Sequence, residues 1–374
     1  MKHKLLSCLL VLISYMSYSQ NVFLSEQAEV SILTCGTGNE SYSLYGHTAV
    51  RFKDVTNHID LVYNYGTFDF ETPNFILKFV KGDLQYFMSV SDYANFEYGY
   101  QYENRSIYEQ ILELPLVKKQ QLFESLNSDL KSKNRFYTYK FIDRNCTNMV
   151  VDKVNLVLGD TIIKTKKPVD ITYREILFPY SKNHFWEQLG INIIFGTKVD
   201  QKAERLFLPF DLLTVLKTTN INNTPLTKET TTRYEARSIA YETSFFNSSY
   251  ILIIILSLIV LLHKKSINLI YFGSIGIIGI FLCGVGFYSL HKEVMWNYNA
   301  LLFNPLYLIL VYYYNKNNFK MMTLWIKIIA GMLLIYLVYM TTKVHLSLML
   351  PFIIAHFLLF SRMILRKKKI LEKR

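Results

Sequence analysis

Apolar positions along the chain fall into two regimes: short alternating or helix-spaced groups before about residue 217, and long, nearly unbroken runs from residue 245 onward. In the first regime, residues 29–34 (Glu-Val-Ser-Ile-Leu-Thr) read as a strand entering the loop Gly36-Thr37-Gly38-Asn39-Glu40. Residues 47–53 and 59–65 alternate about the polar turn Asp54-Val55-Thr56-Asn57. This predicts a β-hairpin that pairs Lys53 with His58, Phe52 with Ile59, Arg51 with Asp60, Val50 with Leu61 and His47 with Asn64. Val50, Phe52, Ile59, Leu61 and Tyr63 then share a core face, while the opposite face carries Arg51 with Asp60 and sets Asn64 beside His47. A one-residue slip would oppose charges to apolar side chains, so the pattern selects its own pairing.

Farther on, residues 107–114 read as a strand. Residues 116–130 read as a helix with Leu122, Phe123, Leu126 and Leu130 on one side, and 135–142 as an aromatic strand alternating through Tyr137, Tyr139 and Phe141. Asp143-Arg144-Asn145-Cys146-Thr147-Asn148 opens a further helix with Val150, Val154, Val157 and Leu158 at helical spacing. Asp143 or Asn145 is its cap and Gly159 its stop. Cys146 thus falls in a first helical turn, where free N–H groups and the helix dipole favour a thiolate. Residues 218–243 turn polar and lose both periods, the pattern of a linker or a surface-hugging arm.

The second regime holds five segments apolar enough to cross a bilayer: 245–262, 267–290, 297–314, 322–340 and 345–360. With the preceding domain outside, the inner connections are His263-Lys264-Lys265-Ser266, residues 315–320 and the tail 362–374. The outer ones carry only Lys292, offset by Glu293, and Lys343, so basic residues favour an N-out, C-in path. This changes the meaning of the net charge of +12. Seven basic residues lie in the last thirteen positions, beside an apolar segment, so the excess is a topology signal and not a nucleic-acid footprint. At the other end, Lys2 and Lys4, the apolar stretch 5–16 and Ser-Tyr-Ser-Gln follow the order of a secretory signal peptide. Cys8 stands too close behind Lys4 for a lipoprotein cleavage box.

Chemistry in the exported part narrows to few residues. Its cysteines are Cys35 and Cys146, and its histidines His47, His58 and His184. There is no His-Glu-x-x-His, Cys-x-x-Cys, Gly-x-Ser-x-Gly or phosphate-binding Gly-x-x-x-x-Gly-Lys, so zinc, serine-hydrolase and nucleotide chemistries lack support. Two thiols in an oxidising compartment read either as a disulfide or as one nucleophile with a spectator.

The runs Val30-Ser31-Ile32-Leu33-Thr34-Cys35-Gly36, Tyr42 to Phe52 with Gly46-His47-Thr48, Val62 to Phe68, Asn145-Cys146-Thr147, Trp186-Glu187-Gln188-Leu189-Gly190 and Phe207-Leu208-Pro209 resemble the DUF4105 family, the Lnb N-terminal periplasmic domain. That family is similar to circularly permuted papain-like proteins, the group of NlpC/P60 peptidases and lecithin:retinol acyltransferase-like enzymes, in which the His strand precedes the Cys helix. The resemblance implies Cys146 as nucleophile and His47 as base. A polar residue on the next strand orients the imidazole: Asn64 by the hairpin register, with His58 as the rival.

The expected architecture is a permuted papain-like α+β periplasmic domain followed by an all-α five-helix transmembrane bundle. Its parts are a signal peptide at 1–20, the periplasmic domain at 21–217, a polar linker at 218–244, five transmembrane helices at 245–361 and a basic cytoplasmic tail at 362–374. The expected function is that of a cysteine hydrolase or acyltransferase at the cytoplasmic (inner) membrane of a bacterium. It acts on an amide or ester carbonyl of an envelope peptide, lipid or lipoprotein through Cys146, His47 and Asn64, with no cofactor or metal. Its alternative is a non-catalytic module binding a glycan or peptide, with Cys35 and Cys146 as a structural pair.

Overall fold

The computed structural model describes residues 22–166, 170–238 and 244–371; the expected signal peptide lies outside them. Strands β1 (Glu29–Cys35), β2 (His47–Asp54) and β3 (Ile59–Thr67) form an antiparallel meander. Then follow α1 (Phe75–Lys81), β4 (Gln85–Asp92), α2 (Tyr93–Tyr102), β5 (Ile107–Ile111), α3 (Leu116–Lys131), β6 (Phe136–Thr138) and α4 (Cys146–Leu158). Helices α5 (Tyr173–Leu177), α6 (Phe185–Ile194) and α7 (Pro209–Leu216) precede a small hairpin of β7 (Asn220–Ile221) and β8 (Thr224–Pro225), and then β9 (Thr231–Tyr234). Seven of these strands make one antiparallel sheet in the order β6-β4-β3-β2-β1-β5-β9.

Both faces of the central strands are covered, and strand alternation sorts the side chains between them. Val30, Ile32, Val50, Phe52 and Tyr63 pack against Leu122, Phe123 and Leu126 of α3 and Val150 and Val154 of α4. Leu33, Cys35, Ala49, Val62 and Ile107 face Tyr93 and Phe96 of α2. The charge enclosed on that second face is neutralised: Arg51 meets Asp60 at 2.7 Å and Glu109 at 3.3 Å, with its guanidinium 3.3 Å above the Tyr93 ring.

The β2–β3 hairpin corrects the expected register by two residues: Asp54 pairs with Ile59, Lys53 with Asp60, Phe52 with Leu61 and Ala49 with Asn64. Asp54 belongs to the strand because its carboxylate organises the turn, accepting from Thr56 N at 3.1 Å and Asn57 Nδ2 at 2.7 Å and also from Ser25 N at 2.7 Å. An even shift leaves every side chain on its expected face, so Arg51 and Asp60 still meet, now diagonally.

One further expectation is corrected. The aromatic strand expected at 135–142 shrinks to β6, because residues 133–135 form a 3₁₀ turn and Lys140 bridges back to Arg144. Of the two readings of the polar stretch after residue 217, the described part up to residue 238 lies on the domain as an arm: β9 adds to the edge of the sheet beside β5 and Leu226 N donates to Thr219 O.

In the apolar half, α9 (Lys265–Tyr288), α11 (Phe319–Met340) and α12 (Leu346–Leu371) are the helices of membrane length among the described residues, three where five were expected. The first apolar segment yields α8 (Ser249–Leu262), whose 14 residues extend ~21 Å at 1.5 Å per residue, short of a ~30 Å core. The third is interrupted at Pro305, with a 3₁₀ turn at Tyr298–Leu301 before α10 (Tyr307–Asn315). Phe185 and Leu189 of α6 join the bundle's core, and Asn297 and Asn299 cap the end of that helix by donating to the Ile193 and Asn192 carbonyls at 2.8 and 2.9 Å. Buried Arg174 of α5 binds Asp200 at 3.0 Å, and Asp200 accepts from Tyr298 at 2.8 Å. The two halves are therefore fastened by polar side chains and not only by the connecting chain.

Candidate active site

The segment before α4 is built to present its first residue. Asn145 is the N-cap: its Oδ1 accepts from Thr147 N at 3.0 Å and Asn148 N at 3.1 Å, while Asn148 Oδ1 accepts from Asn145 N at 2.8 Å, a reciprocal capping box. Asn145 Nδ2 donates to the Phe141 and Phe207 carbonyls at 2.8 and 2.9 Å. Its cap role was legible in the sequence; its tie to residue 207 was not. From outside the domain, Glu293 receives Ile142 N at 3.1 Å and is itself only 1% exposed. The structure thus braces the loop ahead of Cys146 from both halves of the chain.

Cys146 opens α4 and is half-buried. Thr48 and Thr147 share a hydroxyl hydrogen bond of 3.0 Å that pins the start of α4 to the start of β2. This pin brings His47, the first residue of β2, into hydrogen-bonding contact with the Cys146 thiol. The other side of the imidazole is held by Asn64, whose Oδ1 lies 3.2 Å from His47 Nε2. An amide oxygen there only accepts, so Nε2 carries the proton and Nδ1 is left to exchange one with sulfur.

The electrostatics follow from the geometry. Burial alone would raise the Cys146 pKa, but the charge on His47 and hydrogen bonds from His47, the Thr48 N–H and the Thr147 hydroxyl outweigh it and hold the thiol below its ordinary value. Cys35, opposite His47 on β1, behaves in the reverse way. Full burial pushes it up to about 12, its hydrogen bond with Tyr100 lowering it only in part. Both thiols are free. One site therefore holds a thiol disposed to ionise next to one that stays protonated.

Gly66 is called for by the backbone and not by the space beside it. It has φ +99° beside an irregularity in β3–β4 pairing between Asn64 and Thr67, while a Cβ there would stand 3.7 Å from Cys146 Cβ, an ordinary contact. Tyr86 and Tyr139 stack at 4.6 Å between ring centroids, and the Arg144 guanidinium sits 5.1 Å from the Tyr137 ring, both close by in the sequence and sheet around α4.

The structure thus brings together His47, Asn64 and Cys146. It leaves His58 in the exposed β2–β3 turn at φ +54°, at the far end of β2 and ~25 Å by strand rise from His47. Sequence reasoning missed Thr48, Thr147, Gly66 and Glu293. Gly66 left a trace, a glycine two residues after Asn64 in a strand pattern. Glu293 left none, because it comes from a loop between apolar helices. Among the described residues no three His, Cys, Asp or Glu side chains converge as metal ligands.

Comparison with known families gives two matches. Residues 14–177 match the Lnb N-terminal periplasmic domain and residues 243–373 match the Lnb transmembrane domain. No curated protein and no solved structure matches the chain.

Proposed function

For a chain made of an Lnb N-terminal periplasmic domain tethered to the membrane by an Lnb transmembrane domain, we propose a thiol-dependent hydrolase or acyltransferase that works at the outer face of the membrane. The observation that carries this reading is Cys146 at a helix N-terminus, hydrogen-bonded to a histidine that Asn64 orients. His47 takes the thiol proton, and the thiolate attacks an ester or amide carbonyl. The resulting oxyanion lies at the start of α4, where the N–H groups of Thr147 and Asn148 are already taken by Asn145 and that of Cys146 is not among those bonds. Collapse expels the alcohol or amine, which takes the proton from His47, and leaves a thioester on Cys146. Water or an acceptor amine resolves it with His47 again as base.

A nucleophile helix packed on an antiparallel sheet, with its histidine strand earlier in the chain, supports kinship with permuted papain-like proteins. The fastening of α5 and α6 to the bundle restricts the cleft to carbonyls near the membrane surface, on a membrane-anchored peptide, lipid or lipoprotein. The charge pattern of the connections supports a cytoplasmic C-terminus. The non-catalytic alternative, built on a Cys35–Cys146 pair, draws no support from two free thiols of opposite acidity.

The test is covalent labelling of the full-length protein with an electrophilic acyl probe. Cys146→Ser, with Cys35 retained, is expected to abolish the adduct; undiminished labelling would end the nucleophile assignment.

A further inference from the structure

Helix α1, PheIleLeuLysPheValLys in sequence, buries none of its seven residues, and its large apolar side chains stand in the open: Ile76 is 73% exposed, Leu77 64% and Phe79 50%. Such a helix has no reason to hold an apolar face toward water, and scattered exposure does not describe it, because Tyr42 and Phe70 extend the same patch. Phe70 packs on Tyr42, Phe68 and Phe75, and Phe75 stacks on Phe79.

What fixes the height of this patch is its clamp to α9. The last carbonyls of α1 are satisfied by the residues that directly follow the membrane-length helix. Phe79 O accepts from His291 Nε2 at 3.0 Å, Val80 O from Ser289 Oγ at 2.8 Å and Lys81 O from Leu290 N at 2.6 Å. Lys140 Nζ then bridges Gly82 O and Leu290 O at 3.1 and 2.8 Å. The end of α1 is therefore within a residue or two of the outer end of a helix that crosses the bilayer. There Phe287 and Tyr288 also point outward, as aromatic side chains do at a membrane interface.

From this clamp and this exposure we infer that α1 lies in the outer-leaflet interface of the membrane crossed by α9. Ile76, Leu77 and Phe79 are immersed among phospholipid chains, and Lys78 and Lys81 reach the headgroups. The exported domain then touches lipid through its own surface, apart from the transmembrane domain. Residues 68–74 join α1 to the end of β3, so the cleft at Gly66 and Cys146 is held near the bilayer surface. The inference stands whether or not Cys146 is a nucleophile, since it uses none of the catalytic groups.

The test places p-benzoylphenylalanine at position 77, and separately at 76, in the full-length chain reconstituted into phosphatidylethanolamine–phosphatidylglycerol vesicles. Position 55 serves as control. Val55 is also exposed, but it sits in the turn at the opposite end of β3, whose nine residues extend ~30 Å. After irradiation, intact mass is expected to show phospholipid adducts at 76 and 77 about tenfold or more above position 55. Equal yields at the three positions, or cross-linking of 76 and 77 to a second copy of the chain in place of lipid, would overturn the inference.

Discussion

Asn64 reaches the reacting atoms only through His47, so its replacement separates a working imidazole from one that merely sits beside a thiol. The bond to be removed is the 3.2 Å contact between His47 Nε2 and Asn64 Oδ1. Asn64→Ala leaves the backbone pairing with Ala49 and Ser89 in place, so the strand is expected to persist. A hydrogen bond to a group that becomes charged is worth about 1.5–3 kcal/mol. At about 1.4 kcal/mol per decade, that predicts roughly 10- to 100-fold slower reaction of Cys146 near neutral pH. The assay is the rate of Cys146 alkylation by iodoacetamide as a function of pH in the full-length protein, read by peptide mass. The sign is set by the ion pair: His47 holds the thiol below its ordinary pKa, so a less well supported imidazolium lets that pKa rise, and the profile moves to higher pH. Asn64→Gln, which keeps an amide oxygen, is expected to recover part of the loss. An Asn64→Ala profile that superimposes on the wild type, with rates within about twofold, would refute the orienting role.

Gly66→Ala places a Cβ on a residue at φ +99°, so a loss of about 1–3 kcal/mol is expected, read as a lower thermal midpoint; an unchanged midpoint would contradict the backbone-strain argument. Asn145→Ala removes the cap and strands the Phe141 and Phe207 carbonyls. About 2–4 kcal/mol of destabilisation is expected from denaturant titration, far more than a surface cap alone would give. For Asp54, burial raises the carboxyl pKa, but bonds from Ser25 and Asn57 outweigh it and hold the group below 3.8. Its stabilising contribution is therefore complete above that value and lost as the pH falls through the lowered one, so the thermal advantage of the wild type over Asp54→Ala should shrink in acid and not in base.

Much of the site could be read from the sequence because its parts are local or lie on strongly patterned elements. Asn145 capping a valine-spaced helix put Cys146 at a helix start, and strand alternation put Asn64 on the His47 face even though the register was wrong by two. The miss came from Asp54, whose side chain organises the turn and so extends the strand by one residue. Pairwise alternation cannot detect an even shift. Less legible were the features that depend on distant partners: Phe207 receiving Asn145, Glu293 receiving Ile142, and β9 returning to the sheet edge. In the apolar half, hydropathy located the segments but not their breaks. Pro305 splits one segment, and the left-handed His263 ends another after 14 residues.

The claim on which the rest depends is that His47 sets the acidity of Cys146. It is measured most directly by the pH dependence of Cys146 alkylation in His47→Gln beside the wild type. With the imidazole gone, burial acts unopposed by its charge, and the midpoint is predicted to rise above that of the wild type, to the ordinary thiol value or beyond. A midpoint that stays where the wild type has it would contradict the account.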